Sequence, residues 1–308
     1  MQNFSEYVKI KGERDMAEYV EFRVRVPEAL IEALSGEFSL SKGRAAELIR
    51  KKDIRLNGAK YGSDSNEGSG MDYILKVGDI LGVYLRNEES ARIKAEIVYS
   101  DDNIAVAVKP PGVESSGLHS MEGRVERAVM KPARACHRLD YNTSGLNVFA
   151  LSDAGYKSMT ECFRERRVEK TYLAEVVGDV KSHDVVKGYL FKDSAKKKVY
   201  VYSEKRKGSV YAETEYRLAG STGRADVIEI RIHSGRTHQI RAMLAGVGVY
   251  IVGDGKYGDY KINEEYGEKI QRLYAVRLRF RFPKESEMYY LDGAEMKYVP
   301  EKLKTYLK

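Results

Sequence analysis

Apolar positions in this chain recur mostly with the period of a strand, and with the period of a helix in only a few places. Ala45, Leu48 and Ile49 form one apolar stripe behind Ser41, which predicts a short helix with Ser41 as its N-cap. Ile54 and Leu56 then alternate with Arg55 and run into Asn57-Gly58, a strong short hairpin signal. The polar stretch "GSDSNEGSG" (62–70) reads as a loop, and "ILKVGDILGVYL" (74–85) as two short strands around a Gly-Asp turn. Beyond residue 95 strand signals dominate: "NIAVAVK" (103–109), the apolar run 146–151, "KTYLAEVVG" (170–178), "VYVYS" (199–203) and "VIEIRIHS" (227–234). Helical periodicity returns at 153–166, where Met159, Cys162 and Phe163 share a face, and at about 237–245, ended by Gly246.

Many strands and few helices predict an α+β fold, with a mixed, largely antiparallel sheet over residues 95–308. A small α/β unit precedes it at 18–86. The charged segment "RNEESARIK" places a linker at 87–94, and residues 1–17, which lack periodicity, are left as an N-terminal arm.

Composition changes the picture chiefly through charge. The chain has 308 residues, a formal net charge of +7 and a pI near 9.0, which suits a polyanionic partner. Lys42, Arg44, Arg50, Lys51, Lys52, Arg55 and Lys60 crowd the small helix and hairpin, against only Glu47 and Asp53 in the same stretch. Two cysteines are too few for a disulfide framework and fit a reducing compartment. The first sixteen residues do not read as a signal peptide, and the longest apolar run, near 242–253, is too short and glycine-broken for a membrane span. The expectation is a cytoplasmic protein without a membrane partner. Neither a dinucleotide fingerprint nor a phosphate loop occurs, so no nucleotide cofactor is expected.

Candidate chemistry gathers in three segments: "HRLDYNTSGL" (137–146), "RRVEKTYLAEV" (166–176) and "HSGRTHQIRAMLAGVGVYIVGDGKYG" (233–258). Their common theme is one carboxylate, Asp140, among arginines. An arginine close by, Arg138 or Arg241, would hold such a carboxylate ionised and able to act as nucleophile or base. Other chemistries fit less well. Cys136 and His137 are neighbours on an extended chain and point to opposite faces. His233 and His238 have poor spacing for zinc and no further Cys or His cluster to join them, so no metal is expected. Ser144 lacks the G-x-S-x-G elbow of a hydrolase, and Asp140 has no obvious second acid of the kind a glycosidase needs.

Taken in order, H-R-L-D-x-x-T-S-G-L, V-E-K-T-Y, S-G-R-T-H-Q-I-R and I-V-G-D-x-x-Y-G resemble the RluA-type pseudouridine synthases across most of residues 95–283, with further echoes in "VKPPGV", "AETEYRL" and "RLYAVRLRFRFP". The helix, hairpin and closing "LKVGD" of residues 18–86 resemble the small RNA-binding module first seen in a ribosomal small-subunit protein and shared by some tRNA synthetases. The resemblance implies a pseudouridine synthase fold and an isomerase that converts uridine to pseudouridine in structured RNA by base flipping, without a cofactor. Ribosomal large-subunit RNA is the expected substrate, with transfer RNA as another, and a monomer the expected state. It implies Asp140 as the catalytic group, with attack on the sugar, attack on the base and removal of a sugar proton all open. It implies further that Arg241 pairs with Asp140, that Tyr172 stacks on the target uracil, that Lys170 assists from the same strand face, and that Arg138 faces the RNA. Lys42, Arg44, Arg50, Lys51 and Arg55 would hold RNA from the module. His137 is expected to pack or orient its loop. Asn147, Pro111 and Ala242-Met243 depart from the family pattern without touching Asp140, Tyr172 or Arg241. The alternative is an RNA-binding chaperone or assembly factor on the same fold without turnover.

Overall fold

The computed structural model describes residues 17–24, 26–61, 70–86, 89, 93–117 and 119–307. Most of the expected N-terminal arm, most of the 62–70 loop and most of the 87–94 linker lie outside them. The described chain forms two compact units. One takes in residues up to Ala95 together with Gly117–Pro132, and the other Glu96–Ser116 with Ala133–Lys308.

In the first unit, strands β1 (Ala17–Arg23), β3 (Ile54–Leu56), β4 (Ala59–Lys60) and β6 (Ile80–Arg86) form an antiparallel sheet in the order β1-β6-β3-β4. Helices α1 (Leu30–Glu37) and α2 (Lys42–Arg50) bury Leu30, Leu34 and Leu48 against Ile54 and Val83. The α2 helix starts where the sequence predicts, since Ser41 accepts a hydrogen bond from the Arg44 amide at 3.2 Å. Asn57 and Gly58 both take positive φ, 50° and 80°, as a primed two-residue hairpin turn requires. One expectation shifts. The two strands around the Gly-Asp turn do not pair with each other: β5 (Ile74–Leu75) pairs with β2 (Glu28–Ala29), while β6 joins the larger sheet. Helix α3 (Met121–Val129) belongs to this unit although it follows residue 95 in sequence. Arg124 donates to Ser39 at 2.8 Å, Arg127 is ion-paired with Glu37, and His119 lies between Glu28 and Glu37 at 3.0 and 3.1 Å.

The second unit is built on a twelve-stranded sheet. Its strands are β7 (Glu96–Ser100), β8 (Ile104–Lys109), β9 (Arg134–Ala135), β10 (Ser144–Ala150), β11 (Val168–Gly178), β12 (His183–Asp193), β13 (Lys198–Tyr202), β14 (Val210–Ser221), β15 (Asp226–Ile232), β16 (Val249–Ile251), β17 (Leu273–Phe280) and β18 (Glu295–Lys297). The main path runs β13-β12-β14-β15-β11-β17-β10-β8-β7, and all pairings are antiparallel except β10 with β17. The fold class is thus the mixed, mostly antiparallel α+β arrangement expected. Alternation along β11 divides the core: Tyr172, Ala174 and Val176 face the cluster beneath α5 (Gln239–Ala245), and Leu173 faces the one that holds Leu303. Helix α4 (Asp153–Arg164) buries Met159 and Cys162 against Leu146 and Val148. The α5 helix begins at Gln239, because His238 sits in the left-handed region at φ 50° and interrupts the helical path expected from 237. Helices α6 (Tyr260–Tyr266) and α7 (Glu301–Lys304) complete the unit. Among the described residues no helix is long and apolar enough to cross a membrane.

Candidate active site

The loop before β10 is fixed from several sides. His137 is half-buried, stacks on Phe163 with ring centroids 4.3 Å apart, and accepts the Val148 amide at Nε2 over 3.1 Å. Burial pushes its pKa down to about 3, with the Lys170 charge adding to the effect, so the ring is a neutral structural pin. Asn147, which interrupts the apolar run of β10, donates to the His137 carbonyl at 3.1 Å. Leu139 donates its amide to Ser115 at 3.0 Å, and the buried Lys109 ammonium donates to the carbonyls of Val113 and Tyr141 at 2.7 and 3.0 Å. Gln271 holds the Thr143 hydroxyl at 2.5 Å. At Gly145, φ is 111° and an added Cβ would collide with the Ala275 backbone, so only glycine lets β10 approach β17 there.

This scaffold sets Asp140 against Arg241. Arg241 Nη1 donates to Asp140 Oδ2 at 2.9 Å, while Nε and Nη2 donate to both oxygens of Asp254 at 2.7 and 2.8 Å. The sequence reading of one carboxylate among arginines is therefore corrected. One buried arginine is shared by two carboxylates, and Asp254 is the second acid. Its Oδ1 also accepts the amides of Lys256 and Tyr257 at 2.9 and 3.1 Å. Burial alone would raise the Asp254 pKa, but the hydrogen bonds and charge of Arg241, with those two amides, bring it below the ordinary carboxylate value. Arg241 is likewise opposed by burial, and the two carboxylates raise its pKa, so it stays charged. The Tyr257 ring lies 5.1 Å from the guanidinium carbon, and its hydroxyl meets His238 Nδ1 at 2.8 Å and accepts the Val199 amide at 2.7 Å. Burial pushes the His238 imidazole down, against the pull of Asp140, and Arg241 and Lys256 push the same way as burial.

Tyr172, Ile232, Arg138 and His238 close a slot of about 70 Å³ around Asp140 and Arg241. Tyr172 is 8% exposed, and burial, followed by the negative charge of Asp140, raises its phenol pKa and keeps the hydroxyl protonated at neutral pH. Asp140, Tyr172, Arg241 and Arg138 are thus brought together. Arg138 is largely exposed, and its acidic neighbour is Glu114 at 3.8 Å rather than Asp140. Lys170 does not line the slot. It is half-buried, and its ammonium lies 3.6 Å from where a Cβ on Gly235 would sit.

The basic surface of the first unit is less free than its sequence suggests. Glu32 pairs with Lys42 at 2.6 Å, and Glu47 with Lys51 at 2.7 Å. Arg44 is drawn inward to Glu89 at 2.9 Å and Glu47 at 3.1 Å. Arg50 and Arg55 hydrogen-bond only to backbone carbonyls among the described residues, those of Ala46 and Gly58. Two acids that the sequence reading did not set against this cluster, Glu32 and Glu89, are brought to it by the fold.

Asp254, Tyr257 and Gln271 carry no assigned role in the sequence reading. The signal for the first two was present in "IVGDGKYG", where an acid and a tyrosine follow the arginine within one compact segment. Gln271 carries no such signal, as it reaches Thr143 from 128 residues away. Among the described residues no group of three or more His, Cys, Asp or Glu side chains is placed to hold a metal ion.

Residues 103–246 match the family model described as RNA pseudouridylate synthase. The ribosomal large subunit pseudouridine synthase C of Pasteurella multocida is 30% identical over 288 residues, covering 85% of this chain and 84% of that protein. The chain belongs to the RNA pseudouridylate synthase family. The Haemophilus influenzae protein of the same name is 28% identical and covers 91% of each chain. Among solved structures, human RNA pseudouridylate synthase domain containing 1 superposes with a TM-score of 0.57 at 24% identity, over 67% of this chain and 84% of that one, a likeness of fold. Membership makes the protein an isomerase, a pseudouridine synthase acting on RNA.

Proposed function

We propose that this pseudouridine synthase isomerises a uridine of ribosomal large-subunit RNA, with Asp140 as the catalytic carboxylate. The observation that carries this reading is the Arg241 clamp. Asp254 takes Nε and Nη2 of the guanidinium, so Nη1 presents a fixed positive charge to Asp140 inside the slot. A carboxylate held this way needs no rearrangement when charge develops on the sugar or base. Tyr172 offers the face of a neutral phenol ring to a uracil turned out of its stack, and Arg138 at the exposed lip suits the gap the extruded base leaves. The reaction breaks the bond from the sugar C1′ to N1, forms one from C1′ to C5, releases the proton of C5 and returns one to N1.

The first unit fits the role of an RNA-holding module through Arg50 and Arg55, with Lys42 and Lys51 as weaker contributors. Arg44 serves it mainly as a scaffold. Relatives named for the ribosomal large subunit suggest a cytoplasmic place of work. The test is to incubate the protein with ribosomal large-subunit RNA tritiated at C5 of uridine. Tritium should pass to water with the wild type and not with Asp140→Asn, and turnover by that variant would remove Asp140 from the role. Absence of release by the wild type, with binding retained, would favour an RNA-binding assembly factor. A pseudouridine map of cells with and without the gene would name the site.

A further inference from the structure

The slot at Asp140 opens into a second, larger cleft of about 510 Å³, within the roughly 300–1,000 Å³ typical of ligand sites. The two share Arg138, Asp140, Gly235, Arg236, His238 and Arg241, so whatever fills the slot is continuous with what fills the cleft. The cleft's lining carries six cations and two carboxylates. Lys192, Arg236 and Lys269 have no acidic partner among the described residues, which separates them from Arg241 and from the paired cations of the first unit.

Among the described residues Tyr141 is the one Phe or Tyr ring that lines this cleft. Tyr141, directly after Asp140, is 53% exposed, and among the described residues no aromatic ring or cation covers it. Several other tyrosines are covered: Arg134 lies over Tyr156 at 4.2 Å, Arg206 over Tyr202 at 3.7 Å, and Tyr189 meets Tyr211 at 5.4 Å. The Tyr141 backbone is nevertheless rigid, because its carbonyl accepts from the Lys109 ammonium at 3.0 Å and from the Gly112 amide at 2.9 Å. An exposed ring on a fixed backbone, beside unpaired cations, is the arrangement that stacks a base and holds its phosphate.

We propose that this outer cleft seats an unpaired nucleotide adjacent in sequence to the target uridine, its base stacked on Tyr141 and its phosphate held by Lys192 and Lys269. The inference rests on the reading of the Asp140 slot as the uridine site, since a nucleotide covalently linked to that uridine must leave through the shared mouth. Stacking tolerates any base, so the cleft selects for an unpaired neighbour rather than for a particular letter. The enzyme would thereby discriminate loops from duplex.

The test uses the full chain and a hairpin RNA with one tritiated loop uridine, flanked by 2-aminopurine in one version and by an abasic ribose in a matched one. Tyr141→Ala should weaken binding of the base-bearing RNA about tenfold. Tyr141→Phe should leave it within about twofold and keep the quenching of 2-aminopurine, because the π face remains. On the abasic RNA, wild type and Tyr141→Ala should bind alike. Lys192→Ala with Lys269→Ala should flatten the salt dependence by about 0.7 logarithmic units per lysine. Equal binding by Tyr141→Ala and wild type on the base-bearing RNA, or an equal loss on both RNAs, would overturn the proposal. If the wild type released no tritium while Tyr141-dependent binding of the base persisted, the catalytic reading would fall and the stacking site would stand.

Discussion

The first unit and the cleft of the second are both rich in lysine and arginine, and they use that charge in opposite ways. In the first unit acids neutralise the cations, some local and one far off in sequence: Glu47 takes Lys51 one helical turn away, Glu32 takes Lys42, and Glu89 takes Arg44 from 45 residues on. In the cleft one arginine, Arg241, is neutralised and immobilised by two carboxylates, while Lys192, Arg236 and Lys269 have no acidic partner among the described residues. The same residue type therefore does two jobs. Paired and buried, arginine fixes geometry; exposed and unpaired, it supplies a field for a polyanion.

The comparison breaks most visibly at Asp140. Asp140→Asn keeps the shape of the slot, and we expect at least about a 10³-fold loss of single-turnover rate with RNA affinity nearly unchanged, read from tritium release and filter binding. Asp254→Asn is expected next, at about 3 kcal/mol of stability, because Arg241 would lose half of its bidentate partner in a buried place. Its pH dependence has a definite sign. The folded-state pKa of Asp254 lies below its ordinary 3.8, so its stabilisation is complete above that value and is lost as pH falls through the lower folded value. Thermal melts should accordingly show a constant gap between wild type and Asp254→Asn from neutral pH down to about 3.8, and a narrowing one below it.

Arg44→Ala sharpens the other side. Burial would raise the Glu89 pKa, yet Arg86 and Arg44 hold it at about 2, and removing Arg44 strips one of those partners from a side chain that is 4% exposed. Melts of the variant should show a loss of about 1–3 kcal/mol, with the salt slope of RNA binding little changed. The smallest effect is the most specific. Arg50→Ala with Arg55→Ala should flatten that slope by up to about 0.9 units per contact without altering stability, whereas Lys51→Ala should barely move it.

Local signals were legible where the physics is local. The Ser41 cap, the Asn57-Gly58 turn, and the Met159 and Cys162 face of α4 depend on neighbours within a turn or two, and each stands where the pattern predicts. Asp140, Tyr172 and Arg241, drawn from three motifs in sequence order, line one slot. What escaped was pairing over distance. Glu89 is 45 residues from Arg44, and nothing in either segment announces the other. The β5 strand leaves its apparent hairpin partner for β2 because Glu28 and Ala29 lie across from it in the folded unit, which a period-two pattern does not encode. Asp254 lay in a quoted motif, but its role appears only once α5 turns Arg241 towards it, 13 residues back along the chain.

The parallel register of Ser144 and Gly145 with Tyr274 and Ala275, together with the Gln271–Thr143 hydrogen bond, also bears on synthesis. The loop that carries Asp140 leaves the ribosome early, but it lacks its β17 neighbour until a stretch 128 residues further on has been translated. At typical elongation rates that delay is on the order of ten seconds. Until then the loop that carries Asp140 lacks the Gln271 and β17 contacts that fix it, so a protein whose proposed substrate is ribosomal RNA would emerge from the ribosome inactive. Competence would arrive only when the last third of the polypeptide closes the sheet.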